Sequence, residues 1–136
     1  MRPLPQQLRP TGALHAARTR SRSARNRDVR VQFPASVHPG AVLHYTITLS
    51  NPTKTPITLQ PCPGYSEGIY ASGLVIRRSF ALNCDAVHAI GADEHVRYAM
   101  ELAVPSRAAA GVAKFSWGLN DPNGPFAGRI IRISRR

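Results

Sequence analysis

The stretch PGAVLHYTITLSNPTKTPITL, residues 39–59, constrains the fold of this chain more than any other part of the sequence. Apolar Leu43, Tyr45, Ile47 and Leu49 alternate with polar residues. A period of two places the apolar set on one face of a half-buried β-strand. The Asn-Pro-Thr-Lys run then interrupts the strand, and the alternation resumes after it. The stretch therefore predicts a strand, a short turn and a partner strand.

The same alternation recurs along the rest of the chain. Apolar and polar residues alternate in segments 29–33, 74–82, 96–104 and 113–119, and turn-forming residues separate the segments. No segment has the length and period of a stable helix. About seven strands predict a sandwich or a small barrel. We favour an all-β antiparallel sandwich, because the alternation stays one-sided in at least three strands. We expect one core to contain Tyr45, Ile47, Tyr98, Met100, Phe115 and Trp117.

Residues 39–59 also carry a family resemblance. A Gly ahead of a Tyr-Thr-Ile-Thr-Leu strand, an Asn-Pro-Thr turn and a Thr-Pro-Ile-Thr-Leu segment resemble the opening hairpin of bacterial immunoglobulin-like surface domains. The nearest type is the conserved-repeat domain of cell-wall and secreted proteins. The resemblance implies an immunoglobulin-like sandwich that works outside the cytoplasm, as a spacer or binding module without catalytic residues.

The N-terminal segment differs in composition from the rest of the chain. The first thirty residues contain eight arginines, three prolines, no aromatic residue and one acidic residue, Asp28. Apolar residues are too sparse to bury a face, so we predict a disordered tail over residues 1–28 and a folded domain over residues 29–136. Arginines neutralise phosphates. Binding of nucleic acid or another anionic surface through residues 1–30 is therefore an alternative function.

The expected location outside the cytoplasm rests on the resemblance. No apolar run approaches the roughly 18 residues that a membrane-spanning helix needs. The segment 12–17 is too short and too polar for the apolar region of a secretory signal. An extracytoplasmic or cell-surface location therefore requires a signal or anchor ahead of Met1, which we state as a hypothesis.

The two cysteines, Cys62 and Cys84, each border a predicted strand and a loop. The oxidising compartment that the resemblance implies favours a disulfide between them. In the chain-entropy model such a bridge stabilises the domain by about 3 kcal/mol, and it requires Cα atoms within about 7 Å. The alternative is a pair of unpaired thiols in a reducing compartment.

Patterns for metal binding and catalysis are weak. Cys84 and His88 are four residues apart, and a blue-copper site combines such a pair with a second His and an axial Met. Met100, however, belongs to a separate strand and faces inward by alternation. The acidic residues are scattered over turns and one outward strand position. We therefore expect no metal, no cofactor and no enzymatic activity.

Residues 61–73, PCPGYSEGIYASG, are predicted to form a long loop because they contain three glycines and two prolines. Tyr65, Glu67 and Tyr70 are residue types of adaptable binding surfaces, so they are the candidate binding residues. The interpretation we favour is an irregular crossover, with Tyr65 or Tyr70 folded onto the edge of the core. The expected function is a non-catalytic, extracytoplasmic binding or structural module for a protein or cell-surface partner.

Overall fold

A computed structural model of the protein describes residues 7–9, 28–85, 87–120 and 124–135. Across these ranges no helix is long and apolar enough to cross a bilayer. The described residues form eleven strands, seven of them five residues or longer, close to the predicted number. The strands are β1 (Gln7–Arg9), β2 (Asp28–Gln32), β3 (Ser36–Val37), β4 (Val42–Ser50), β5 (Ile57–Thr58), β6 (Gly64–Ala71), β7 (Leu74–Ala81), β8 (Ala89–Ile90), β9 (His95–Ala103), β10 (Gly111–Leu119) and β11 (Phe126–Ile133).

Two large sheets pack face to face, which confirms the predicted all-β sandwich. One is four-stranded, with the order β1-β9-β4-β2, and the other is five-stranded, with the order β3-β11-β10-β6-β7. The short strands β5 and β8 pair separately. All pairs are antiparallel except β3 with β11. The ring of Tyr45 from the four-stranded sheet meets that of Phe115 from the five-stranded sheet edge-on, with 4.9 Å between centroids.

The inner faces of the two sheets form one core, as the alternation predicted. The strand β4 alternates between buried and solvent-facing positions along most of its length, and β9 does the same from His95 onward. All six side chains expected to share the core are buried in it, namely Tyr45, Ile47, Tyr98, Met100, Phe115 and Trp117.

The partner that the sequence predicted for β4 is wrong. Ile57–Thr58 do not fold back on β4; they pair with Ala89–Ile90, and β4 pairs instead with β2 and β9. Asn51 explains this change of partner. It is buried, and its amide group donates hydrogen bonds to the carbonyls of Thr55 and Ile90, at 2.8 and 2.9 Å. These bonds turn the chain away from β4, because a buried amide must keep its hydrogen-bond partners.

The predicted tail, residues 1–28, is structured at two places that the structure describes, because Asp28 already begins β2 and pairs with Ser50. Gln7–Arg9, within the segment predicted to be disordered, form β1 and pair with residues 97–99 of β9. Backbone pairing at an open sheet edge does not require a buried apolar side chain, so sparse apolar composition did not exclude it. The other residues of the segment 1–27 lie outside the described residues, and their disorder stays a prediction.

Candidate functional site

The structure separates the three candidate binding residues onto two faces of one strand. Tyr65, Glu67 and Tyr70 lie on β6, in a segment predicted to be a loop. Tyr65 and Glu67 point inward and are each 1% exposed, whereas Tyr70 lies on the outer face over Gly68. The predictions of an adaptable loop and of an irregular crossover are therefore both wrong, because residues 64–71 form a regular strand. The expected burial of Tyr65 is confirmed.

The predicted disulfide is present. Cys62 and Cys84 are bonded, with Cα atoms 5.9 Å apart. They flank β6 and β7, and the amide of Leu82 donates to the carbonyl of Pro63 beside the bridge, at 2.9 Å. The disulfide thus closes the open end of the β6–β7 hairpin. It also removes the thiolate that a copper site at Cys84 would need, and the described residues include no group of three His, Cys, Asp or Glu side chains arranged to hold a metal.

A polar pair lies inside the sandwich, between the two sheets. The hydroxyl of Tyr45 donates a short hydrogen bond to Oε1 of Glu67. Trp117 stands directly opposite Glu67 in the β10–β6 register, and its ring stacks on that of Tyr65 with centroids 5.6 Å apart. Neither Oε2 of Glu67 nor Nε1 of Trp117 has a hydrogen-bond partner among the described residues, so the backbone partner expected for a buried indole is not found there.

Burial controls the ionisation of this pair. It raises the pKa of Glu67 from 4.5 to about 7, although the hydrogen bond from Tyr45 and the charge of Arg78 act in the opposite direction. The nearby carboxylate of Glu101 raises the pKa of Glu67 further. Burial and then the charge of Glu67 raise the pKa of both Tyr45 and Tyr65. The neutral carboxyl is therefore the form that suits this position.

A groove of about 480 Å³ crosses one end of the four-stranded sheet. Its walls include Phe33, Tyr45 and Met100, and its rim carries His44 and Glu101. Nδ1 of His44 lies 3.6 Å from Oε2 of Glu101. Glu67 is not among the residues that line the groove. The carboxyl of Glu67 therefore does not reach this groove. The groove carries one solvated pair, His44 and Glu101.

The pentapeptide 64–68, Gly-Tyr-Ser-Glu-Gly, matches the Gly-x-Ser-x-Gly pattern of a nucleophile elbow, which the sequence-based search for catalytic patterns missed. In that elbow the serine occupies a sharp turn from a strand into a helix. Ser66 instead lies within β6, where its hydroxyl is 2.8 Å from that of Ser79 and donates to Oδ1 of Asn120 at 2.9 Å. The pentapeptide is therefore part of a regular strand.

The outer face of the five-stranded sheet carries the most unusual surface among the described residues. We call it the basic face and define it as the outward positions of β6, β7, β10 and β11. Its large apolar side chains are exposed, at 67% for Val75, 57% for Val112, 67% for Phe126 and 66% for Ile130. Its charged residues are Arg77, Lys114 and Arg132, and the only acidic residue of these four strands is the buried Glu67.

Two aromatic rings lie against this face over glycines. A Cβ atom at Gly118 would come within 3.1 Å of Cδ1 of Phe126, and one at Gly128 within 3.8 Å of Cε2 of the same ring. A Cβ atom at Gly68 would come within 2.9 Å of Oη of Tyr70. The rings therefore cover the backbone, and the absence of side chains at the glycines lets them lie close to the sheet.

The exposed apolar side chains of this face can be recognised in the sequence of β11. In FAGRIIRI, residues 126–133, the inward set is Ala, Arg, Ile and Ile, while Phe126 and Ile130 belong to the outward set. Apolar residues at both parities of a strand indicate either burial on two sides or an exposed apolar surface. Because β11 has one solvent-facing side, the second explanation applies.

The comparisons with known proteins bear on the fold. No family model matches the chain, and no curated protein matches it either. Among solved structures, the CARDB domain of a Pyrococcus furiosus protein superimposes with a TM-score of 0.52 at 12% identity, over 82% of this chain and 96% of that domain. This chain has an immunoglobulin-like fold.

Two larger proteins contain a similar unit. A β-glucosidase from Listeria innocua matches with a TM-score of 0.53 at 11% identity, over 82% of this chain and 16% of its own length. The alkylpurine DNA glycosylase AlkC of Pseudomonas fluorescens, bound to DNA containing an abasic site analog, matches with a TM-score of 0.53 at 15% identity, over 80% and 30%. At these identities the similarity concerns the fold alone.

Proposed function

We propose that this protein is a non-catalytic binding module of an extracytoplasmic compartment, and that it binds its ligand on the basic face. The observation that carries the proposal is the composition of that face. Exposed apolar side chains there alternate with cations, and no acidic side chain is present at the outward positions of its four strands. Exposed apolar surface is costly to leave in water and commonly marks an interaction site.

The disulfide supports the compartment. Disulfides such as Cys62–Cys84 persist in secreted and cell-surface proteins and are rare in a reducing cytosol. The resemblance of residues 39–59 to conserved-repeat surface domains agrees with this location. We therefore propose that the chain is a surface domain of this conserved-repeat type.

The position of Glu67 supports a non-catalytic role. A general acid or base must reach the proton that it transfers, and Glu67 is 1% exposed between the two sheets. Ser66 is held by two hydrogen bonds within the strand layer rather than at a turn. The side chains that resemble catalytic groups therefore serve packing and pairing in this fold.

A matched pair of substitutions tests the proposal. Val75→Asp places a carboxylate on the basic face, and Val42→Asp, 41% exposed in the wild type, places the same charge on the outer face of the four-stranded sheet. Co-sedimentation with cell-envelope fragments of the source organism measures binding. We expect Val75→Asp to lose binding and Val42→Asp to keep it. Equal behaviour of the two variants would contradict the assignment of the face.

Thiol titration of protein isolated from its native compartment tests the location. We expect no reactive thiol in the folded chain before reductant is added. Two reactive thiols would contradict an oxidising compartment. The alternative function, binding of nucleic acid through residues 1–30, stays a prediction, because most of that segment lies outside the described residues.

A further inference from the structure

The centre of the basic face is a shallow strip that crosses the strands. Gly128, Ser116 and Gly68 lie side by side on β11, β10 and β6 in the register of the sheet, and Arg77 follows on the edge strand. None of the first three residues has a side chain larger than a hydroxymethyl group. The strip is therefore low, and the side chains of Tyr70, Phe126 and Lys114 lie flat across its two glycines.

Aromatic rings border this strip at two places. The ring of Phe126 reaches over Gly128 and that of Tyr70 over Gly68, from opposite sides of the strip. These glycines lie two strands apart, so the rings are separated by roughly 10 Å. Two rings at this separation can contact two units of one extended polymer.

One cation lies beside the ring of Phe126, and a second stands next to Gly68, over which the ring of Tyr70 lies. Lys114 is directly opposite Tyr70 in the β10–β6 register, and its Cε atom would lie 3.5 Å from a Cβ atom at Gly128, beside Phe126. Arg77 stands at one end of the strip. Because no acidic residue occupies an outward position of these strands, the potential over the face is positive and favours an anionic ligand.

Resting on the proposed function, we propose that the basic face binds an acidic polysaccharide, a polymer of sugar rings that carry carboxylate groups. The apolar faces of two sugars would stack on Phe126 and Tyr70, and their carboxylates would pair with Lys114 and Arg77. In a uronic acid the charge lies one bond from the ring that stacks. Such a ligand needs a cation near each aromatic ring. Lys114 lies beside Phe126, and Arg77 stands opposite Gly68, over which Tyr70 lies. In a single-stranded nucleic acid the sugar separates the stacked base from the phosphate.

A pair of ligands isolates the charge. Polygalacturonate and its fully methyl-esterified form share the same sugar backbone, but only the first carries carboxylates. We expect the full-length protein to bind polygalacturonate with an affinity that falls as salt is added. The neutral ester should bind about tenfold more weakly. Equal binding of the two polymers would overturn the proposal.

Variants on the two outer faces isolate the site. We expect Phe126→Ala and Lys114→Gln each to weaken binding of polygalacturonate roughly fivefold. The control is Arg30→Gln, which removes an exposed cation from the four-stranded sheet and should change the affinity less than about twofold. All three positions are exposed, so circular dichroism should show unchanged folding. An equal effect of Lys114→Gln and Arg30→Gln would indicate attraction by net charge alone and would overturn the proposal.

The two proposals fail in different ways. If polygalacturonate does not bind while Val75→Asp still abolishes binding to envelope fragments, the ligand class is wrong and the binding face stands. Binding of an oligo-dT strand in preference to polygalacturonate, lost in Phe126→Ala, would likewise replace the ligand class with single-stranded nucleic acid. If Val75→Asp changes nothing, the binding face itself is wrong.

Discussion

Glu67 makes the stability of this domain depend on pH between about 4.5 and 7. Folding raises the pKa of its carboxyl from 4.5 to about 7 through burial. Between these two values the folded chain keeps a proton that the unfolded chain has lost, so stability falls as pH rises across this range and levels off above about 7. Below 4.5 both states are protonated and Glu67 adds no pH dependence. The shift corresponds to a loss of about 3 kcal/mol between the two plateaus.

Glu67→Gln should remove this dependence. An amide oxygen still accepts the hydrogen bond from Tyr45, and the side chain no longer ionises. We therefore expect the free energy of unfolding in urea to fall less between pH 5 and pH 8 in the variant than in the wild type, by about 2.5 kcal/mol. The exposed Asp85→Asn serves as the control and should keep the wild-type slope. An unchanged slope in Glu67→Gln would show that another group is responsible.

At the level of elements, β4 shows that the alternation of apolar and polar residues identifies the buried face of a strand. Ile47 faces the core and is fully buried, while its neighbour Thr46 faces outward on the same strand. We expect Ile47→Ala to cost about 2–5 kcal/mol through lost burial and a residual cavity. Thr46→Ala should change stability by less than about 1 kcal/mol. Denaturant unfolding measures both, and similar losses would contradict the assigned faces.

The strand β6 shows where the pattern misled. Its inward positions are Tyr65, Glu67 and Ile69, so one carboxyl interrupts an otherwise ordinary apolar set. Its glycines were interpreted as signs of a loop, but Gly68 is required by close approach of the ring of Tyr70 and of the carbonyl of Ile76, each 2.9 Å from where a Cβ would lie. A single sequence shows neither the Tyr45 hydroxyl that donates to Glu67 nor the neighbours that exclude a side chain at Gly68.

Most of the features that the sequence predicted depend on neighbouring residues, whereas the features that it did not predict depend on residues that are distant in the sequence. Core membership and the sandwich followed from local alternation, and the disulfide was expected from the oxidising compartment that the family resemblance implies. The partner of β4 depended on Asn51, whose hydrogen bond to Ile90 joins residues 39 positions apart. The basic face likewise arises only when four strands lie side by side, because its strip takes single small residues from β6, β10 and β11.

For the whole molecule, the N-terminal segment should contribute little to stability. Of its residues the structure describes the three-residue strand β1, paired on one side with β9. A variant that begins at Asp28 should therefore melt within a few degrees of the full chain, as followed by circular dichroism. Loss of the cooperative transition would show that the segment packs on the domain.

The bridge between Cys62 and Cys84 also decides how this protein would respond to a mechanical load. When the chain is pulled from its two ends, the disulfide holds the Cα atoms of the two cysteines 5.9 Å apart, although 22 residues separate them along the chain. The force then bypasses β6 and β7, the two strands enclosed by the bridge, and β7 forms one edge of the basic face. In single-molecule stretching, we expect the oxidised protein to gain about 70 Å less contour length than the reduced protein when it unfolds. Under such a load the oxidised domain would keep this hairpin covalently closed even after the remaining strands had separated.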